Sequence, residues 1–522
     1  VNGSQALLRT LADAGVRVCL ANPGTSEMDT VLALDDERRV RAVLCLDEAV
    51  ATGAADGYAR MAEGPAATLL HLGPGLGNGW TNLHNARRAR SPVVNVVGDH
   101  ATYHKRFDAP LESDLDALAA AVSAWVRRSS RAADVGEDAA EAVAAAAGPP
   151  GAVATLVLPA DAAWEEGAHP GRPIRLPPLA SVPEAVVAEA AVALQRPAEV
   201  VLLLGGSALR EPGLRAASRI VEATGCRALT ETQMARCQRG AGRPAFPPLN
   251  YFVELAVPQL SGATRLIAAG ARSPVAFFAY PGHPSTPLPE GCSVLHLGRD
   301  GEDVVGALES LAERVALGVA PRLQPLGRAV PDAPQPDRPL DPDVVGAVLA
   351  AALPEAAIVV DEAVTARPGL YAATVGAAPH DWLALVGGAI GEGLPLATGA
   401  ALAEPGRPVV SLEADGSAIY TLSALWTQAR ERLHVVTVIL SNRAYAILQI
   451  EMQRVAGVSP GPAAAPLLAL TDPELDFVGL AAGFGVPAAR VETAGELARA
   501  LQQGLSEPGP FLVDARLGPS RP

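Results

Sequence analysis

The sequence predicts an α/β protein built as three doubly wound parallel-sheet domains, and three observations carry that expectation. Short apolar runs of strand length alternate with segments of helical period along most of the chain. Two proline-rich links divide it, His169 to Pro178 and Ala320 to Pro342, the second with seven prolines. At 522 residues the chain exceeds what one core fills, and at 49% hydrophobic but 4% aromatic it has the composition of a packed protein rather than a disordered one. The expected domains are residues 1–165, 180–318 and 343–522.

In the first segment a helix is expected over Gln5–Ala14. Strands follow at Val16–Leu20, Val40–Cys45, Ala67–His71, Val93–Val97 and Ala152–Leu158, with a turn at Asn22 to Glu27. The middle segment has its clearest strand at Val200–Leu204, ending in Gly205-Gly206 without the three-glycine dinucleotide pattern. The third holds Ile358 to Glu362, Val409 to Leu412, Val435 to Leu440 and a last strand Phe511–Ala515. No residue-level repeat between the first and third segments is read from the sequence.

A formal charge of −15 without basic runs argues against a nucleic-acid surface. Five cysteines with no C-x-x-C spacing read as reduced thiols of a cytoplasmic protein, and no apolar run is long enough to span a membrane.

The most informative stretch is Arg407 to Gln449. A strand ends at Glu413-Ala414-Asp415-Gly416-Ser417, a helical segment follows, and a second strand runs into Ser441-Asn442-Arg443-Ala444. In a parallel βαβ unit both strands finish at one edge, so Asp415 and Asn442 meet there. Oxygen ligands beside a helix start suit Mg²⁺ and a phosphate; a bare turn and helix cap is the alternative for an isolated Asp-Gly. This pattern resembles the thiamine diphosphate signature of the family containing acetolactate synthase, benzoylformate decarboxylase and pyruvate decarboxylase.

The resemblance implies pyrimidine-binding, central and diphosphate-binding domains, in that order. It implies Mg²⁺ held by Asp415, Asn442 and the carbonyl of Ala444, with Gly416, Ser417, Tyr445 and Thr365 near the diphosphate. Ala414 and Ser441 stand where the family has Gly and Asn, and Ser441 is expected still to offer a hydroxyl. Ala363 and Val364 replace hydroxyl residues. Glu48, in CLDEAVATGAADGYAR, matches the glutamate that pairs with N1′ of the cofactor; on its own it could equally serve the dipole of the helix it opens. Ile390, in the run from Gly387 and Gly388 to Gly393, matches the residue that wedges the cofactor into its bent form. His71 and Thr25 match substrate-site residues of benzoylformate decarboxylase.

Phe277 and Phe278 occupy the region where that enzyme has a second histidine. A site short of acids protonates its product slowly, which favours attack on a second carbonyl. The expected activity is therefore 2-oxo acid decarboxylation with carboligation; simple decarboxylation, an acyl-CoA lyase and a non-catalytic paralogue are the alternatives. The run Gly98 to Arg106, with two His and two cations, either binds a carboxylate or is a solvated loop. The resemblance implies a homodimer or homotetramer with sites between subunits, acting on a small-molecule 2-oxo acid.

Overall fold

The computed structural model describes residues 1–299, 301–326 and 330–518, so part of the second proline-rich link lies outside the described residues. The first segment contributes β1 (Val18–Asn22), β2 (Arg41–Leu44), β3 (Ala66–His71), β4 (Val93–Asp99), β5 (Trp125–Arg128) and β6 (Val153–Pro159). They form one parallel sheet in the order β2-β1-β3-β4-β6-β5. The central segment contributes β7 (Val200–Leu204), β8 (Arg227–Thr230), β9 (Cys237–Arg239), β10 (Arg265–Ala269) and β11 (Ser293–His296). Four of these pair in parallel as β11-β10-β7-β8. The third holds β12 (Ile358–Glu362), β13 (His380–Ala384), β14 (Val409–Ala414), β15 (Val435–Ser441), β16 (Ala488–Val491) and β17 (Phe511–Arg516).

The third sheet departs from the all-parallel expectation. Its order is β16-β17-β15-β14-β12-β13-β9, and β9 comes from the central segment to pair antiparallel with β13. Arg239 fixes this edge: its guanidinium lies 3.5 Å from the centroid of the Tyr371 ring and donates to the Tyr371 carbonyl. The strand is three residues long and carries no alternating pattern, which is why sequence periodicity does not show it.

Each sheet contains a neighbouring pair of strands whose connections leave to opposite sides: β1 and β3, β7 and β10, and β12 and β14. A crevice opens there at the carboxyl edge. Thr25 follows β1 and His71 ends β3, and Thr365 and Asp415 follow β12 and β14.

The first and third segments pack through the helices Glu48–Ala62 and Gly393–Ala403. Both contain Ala-Thr-Gly-Ala-Ala, at 51–55 and 397–401, a short repeat that the sequence reading misses. Its glycines are where the helices touch. A Cβ on Gly399 would lie 1.9 Å from the Ala54 carbonyl oxygen, and one on Gly53 would lie 2.6 Å from Pro395 Cβ. Cys19, Cys45, Cys226 and Cys237 are buried, Cys292 is half-buried, and all five are free thiols. No described helix is long and apolar enough to cross a membrane.

Candidate active site

Strands β14 and β15 run side by side, with Ala414 opposite Leu440, so their carboxyl ends deliver Asp415 and Asn442 to one place. Asp415 Oδ2 accepts the Arg443 N–H at 2.6 Å and Oδ1 accepts the Gly416 N–H at 2.9 Å. Asn442 Oδ1 accepts the Ala444 N–H at 2.9 Å across Arg443, whose φ of 62° tightens the loop. Burial pushes the Asp415 carboxyl above its ordinary range against the pull of these N–H groups. A buried carboxylate, an amide oxygen and the Ala444 carbonyl form a hard oxygen set, so the residues fit a divalent cation of the Mg²⁺ type.

The Tyr445 ring lies over Gly416, where a Cβ would come within 2.5 Å of it. Ser417 is buried in the short helix Asp415–Ala418. Thr365 is half-buried, next to Val364 at φ 50°, and no described hydrogen bond engages its hydroxyl. One expectation is corrected here: Ser441 donates to Asp514 at 2.6 Å, so its hydroxyl is committed to the core.

Glu48 opens its helix behind the N-cap Asp47 and is buried. Asn78 Nδ2 donates to Glu48 Oε2 at 3.1 Å. A Cβ on Gly75 would lie 2.8 Å from Glu48 Oε1 and 3.5 Å from His71 Cβ, so Glu48 and His71 flank one glycine. The glycine-rich run after His71 is helical from Leu72 to Ala89, with Leu72 at φ 50° at its start.

Sequence reasoning missed the partner of His71. Its Nδ1 lies 2.8 Å from Glu27 Oε2 and 3.1 Å from Ser26 Oγ. Glu27 also accepts the Gly24 N–H at 2.7 Å and is almost wholly buried. A Cβ on Gly24 would fall 2.3 Å from the His71 ring. With Glu27 on Nδ1, the imidazole keeps Nε2 for proton exchange. The signal was present, since Glu27 stands beside the Asn-Pro-Gly turn, but which strand end it faces depends on sheet order. Thr25 is exposed at the start of this turn.

The loop carrying Ile390 is pinned from two sides. Asn85 Nδ2 donates to the Ala389 carbonyl at 2.8 Å, and Asn82 Nδ2 donates both to Ala49 at 2.8 Å and to Gly391 at 3.2 Å. From beneath, Glu362 accepts the Gly391 and Gly393 N–H groups at 2.7 and 2.5 Å. Gly388, at φ 80°, lies against Phe277, whose ring would meet its Cβ at 2.4 Å. Glu392 pairs with Arg60 at 2.7 Å, and Arg60 with Asp56 at 2.6 Å, all buried. Burial pushes Glu362 up to about 7 and raises Glu392 and Glu413 well above the usual carboxylate range. No pattern marked Glu362, Glu392 and Glu413 as a set, because they come from two strand ends and a loop.

The run Gly98 to Arg106 leaves the end of β4 as a loop, and one of its two cations is already engaged. Lys105 Nζ sits 3.0 Å from Asp99 and 2.5 Å from Glu112. Two groups of site residues thus form, one around Glu48 and His71 and one around Asp415, Asn442 and Tyr445. Among the described residues no hydrogen bond or ion pair joins Glu48 or His71 to Asp415 or Asn442.

Residues 1–120 match the family described as thiamine pyrophosphate enzyme, N-terminal TPP binding domain, and residues 370–515 match its C-terminal TPP binding domain. The chain is 56% identical to IlvX of Mycobacterium tuberculosis, provisionally named an acetolactate synthase large subunit, covering 98% of both. It is 30% identical to a benzoylformate decarboxylase of Pseudomonas aeruginosa over 96% of both. The solved thiamine diphosphate-dependent 4-hydroxybenzoylformate decarboxylase of Rhodococcus jostii RHA1 superposes over 100% of both chains with a TM-score of 0.87 and 26% identity. With the oxygen set of Asp415 and Asn442 at one switch point and Glu48 near another, the chain belongs to the thiamine diphosphate-dependent enzymes of the acetolactate synthase and benzoylformate decarboxylase family.

Proposed function

We propose that the protein decarboxylates a 2-oxo acid, using thiamine diphosphate held through Mg²⁺. The observation that carries this reading is the meeting of Asp415 with the Asn442–Ala444 loop at the carboxyl edge of the third sheet. Asp415, Asn442 and the Ala444 carbonyl are the residues to hold the cation, and the close-packed Gly416 keeps the edge open to the diphosphate. Thr365 and Ser417 are hydroxyls within the same crevice. Bound thiamine diphosphate supplies the electron sink for loss of CO₂. Glu48, buried at the start of its helix, is the residue to hydrogen-bond the pyrimidine. Ile390, on a loop fixed by Asn82, Asn85 and Glu362, is the wedge.

After CO₂ leaves, the product needs a proton. His71 is the residue to deliver it: Glu27 fixes its tautomer through Nδ1 and leaves Nε2 to exchange the proton. That favours release of an aldehyde. Carboligation is the second reading, supported by Phe277 against Gly388, where an aromatic ring stands in place of a second acid. A panel of 2-oxo acids, with CO₂ and with aldehyde or acyloin measured separately, tests both. CO₂ release that falls about a hundredfold or more in Glu48→Gln supports the reading; a Glu48→Gln enzyme as fast as wild type sinks it.

A further inference from the structure

The central sheet has its own crevice, which meets the proposed site where Phe277 lies against Gly388. Its strand order reverses between β7 and β10, and a cavity of about 420 Å³ opens at that carboxyl edge. The volume is that of a small-molecule site, and the position is where open parallel sheets bind ligands. Its walls are partly apolar, with Leu203, Leu249 and Phe277 among them.

Its polar groups carry both signs. Glu231, directly after β8, covers the glycine turn that follows β7. The Gly206 N–H donates to Glu231 Oε1 at 3.3 Å, and a Cβ on Gly205 would lie 2.7 Å from Oε2. A phosphate cannot use this turn, because the protein's own carboxylate already sits in it. Burial pushes Glu231 up to about 7, with Arg90 and Arg272 opposing the shift. The carboxyl therefore has little charge to lose and much to gain from a cationic partner. Arg88 and Arg272 line the same cavity. Neither has a hydrogen bond or ion pair among the described residues, and burial, with the charges of Arg272 and Arg87, lowers the affinity of Arg88 for its proton. Two guanidinium groups without a hydrogen-bonded carboxylate favour an anion.

We propose that this cavity binds a small zwitterion, its amine against Glu231 and its carboxylate or phosphate against Arg88 and Arg272. The assignment is independent of the thiamine diphosphate reading, because none of these residues touches Asp415, Asn442 or Glu48 among the described contacts.

Calorimetric titration of the intact protein tests it, using ω-amino carboxylates from aminobutyrate to aminooctanoate, the plain carboxylates of matched length, and ω-aminoalkyl phosphates. FAD and ADP serve as contrasts. One amino compound is expected to bind saturably, and about tenfold more tightly than its plain counterpart, as a charged hydrogen bond to Glu231 demands. Arg272→Leu and Glu231→Leu are each expected to weaken it about tenfold. Arg272 is on the surface, so its variant keeps the test open if Glu231→Leu does not fold. Whichever of the carboxylate and phosphate series binds more tightly identifies the anionic group. Equal binding of amino and plain compounds, unchanged binding in Arg272→Leu, or binding of FAD or ADP with no zwitterion bound each overturns the proposal.

Discussion

At the scale of single residues, the pairing of Glu27 with His71 has the clearest consequence. A buried carboxylate on Nδ1 selects the tautomer, orients the ring and leaves Nε2 as the nitrogen that exchanges a proton. Replacing Glu27 by Gln keeps the shape and removes the charge. Turnover is expected to fall about tenfold to a hundredfold with KM little changed. Because Glu27 acts through His71, the double variant Glu27→Gln/His71→Ala is expected to be no slower than His71→Ala alone. Independent, multiplying losses in steady-state kinetics would show that Glu27 does something else. The residues of the cation set were legible in the sequence because Asp415 and Asn442 each sit at a strand end, a position that periodicity locates. Glu27, Glu362 and Glu413 were not legible as partners, because each faces a neighbour chosen by strand order rather than by spacing along the chain.

At the scale of elements, the strands read from apolar runs fall where expected, Val200–Leu204 with the same ends. Long buried runs have only one way to hide both faces, inside a covered parallel sheet. The short edge strands β5 and β9 and the half-exposed β16 lack that signature. The helical segment after Asp415 reads as one periodic face, yet it is broken into Asp415–Ala418, a 3₁₀ turn Ile419–Thr421 and Ala424–Glu431. Its buried face still includes Leu422 and Leu425. The contact between Glu48–Ala62 and Gly393–Ala403 depends on absent side chains rather than present ones. Gly399→Ala forces a methyl into the Ala54 carbonyl, and the backbone cannot rotate away. The expected loss is about 2–3 kcal/mol, read from urea unfolding. Gly461→Ala, with nothing within 4 Å, serves as the control and is expected to stay within about 0.5 kcal/mol of wild type. Equal effects of the two changes would mean the helices are not in contact in solution.

At the scale of the whole molecule, the first and third segments each carry half of the proposed cofactor site. If a dimer shares its sites, with Glu48 from one subunit and Asp415 from the other, two dead subunits can complement. A Glu48→Gln subunit mixed with an Asp415→Asn subunit then forms heterodimers with one intact site of two. Random reassociation is expected to restore about a quarter of wild-type activity. No recovery on mixing, with heterodimers present by native mass spectrometry, would place both halves of the site within one chain.

The proposed activity rests on Asp415 and the Asn442 loop gripping a cation that holds the cofactor's diphosphate. The most direct measurement is calorimetric titration of thiamine diphosphate into wild type and Asp415→Ala, each with Mg²⁺ and with a chelator. Saturable binding that needs Mg²⁺ and weakens about a hundredfold in Asp415→Ala is the predicted result, since an oxygen-ligated cation loses its one carboxylate. Binding that is equally tight without a divalent cation, or unchanged in Asp415→Ala, would contradict it.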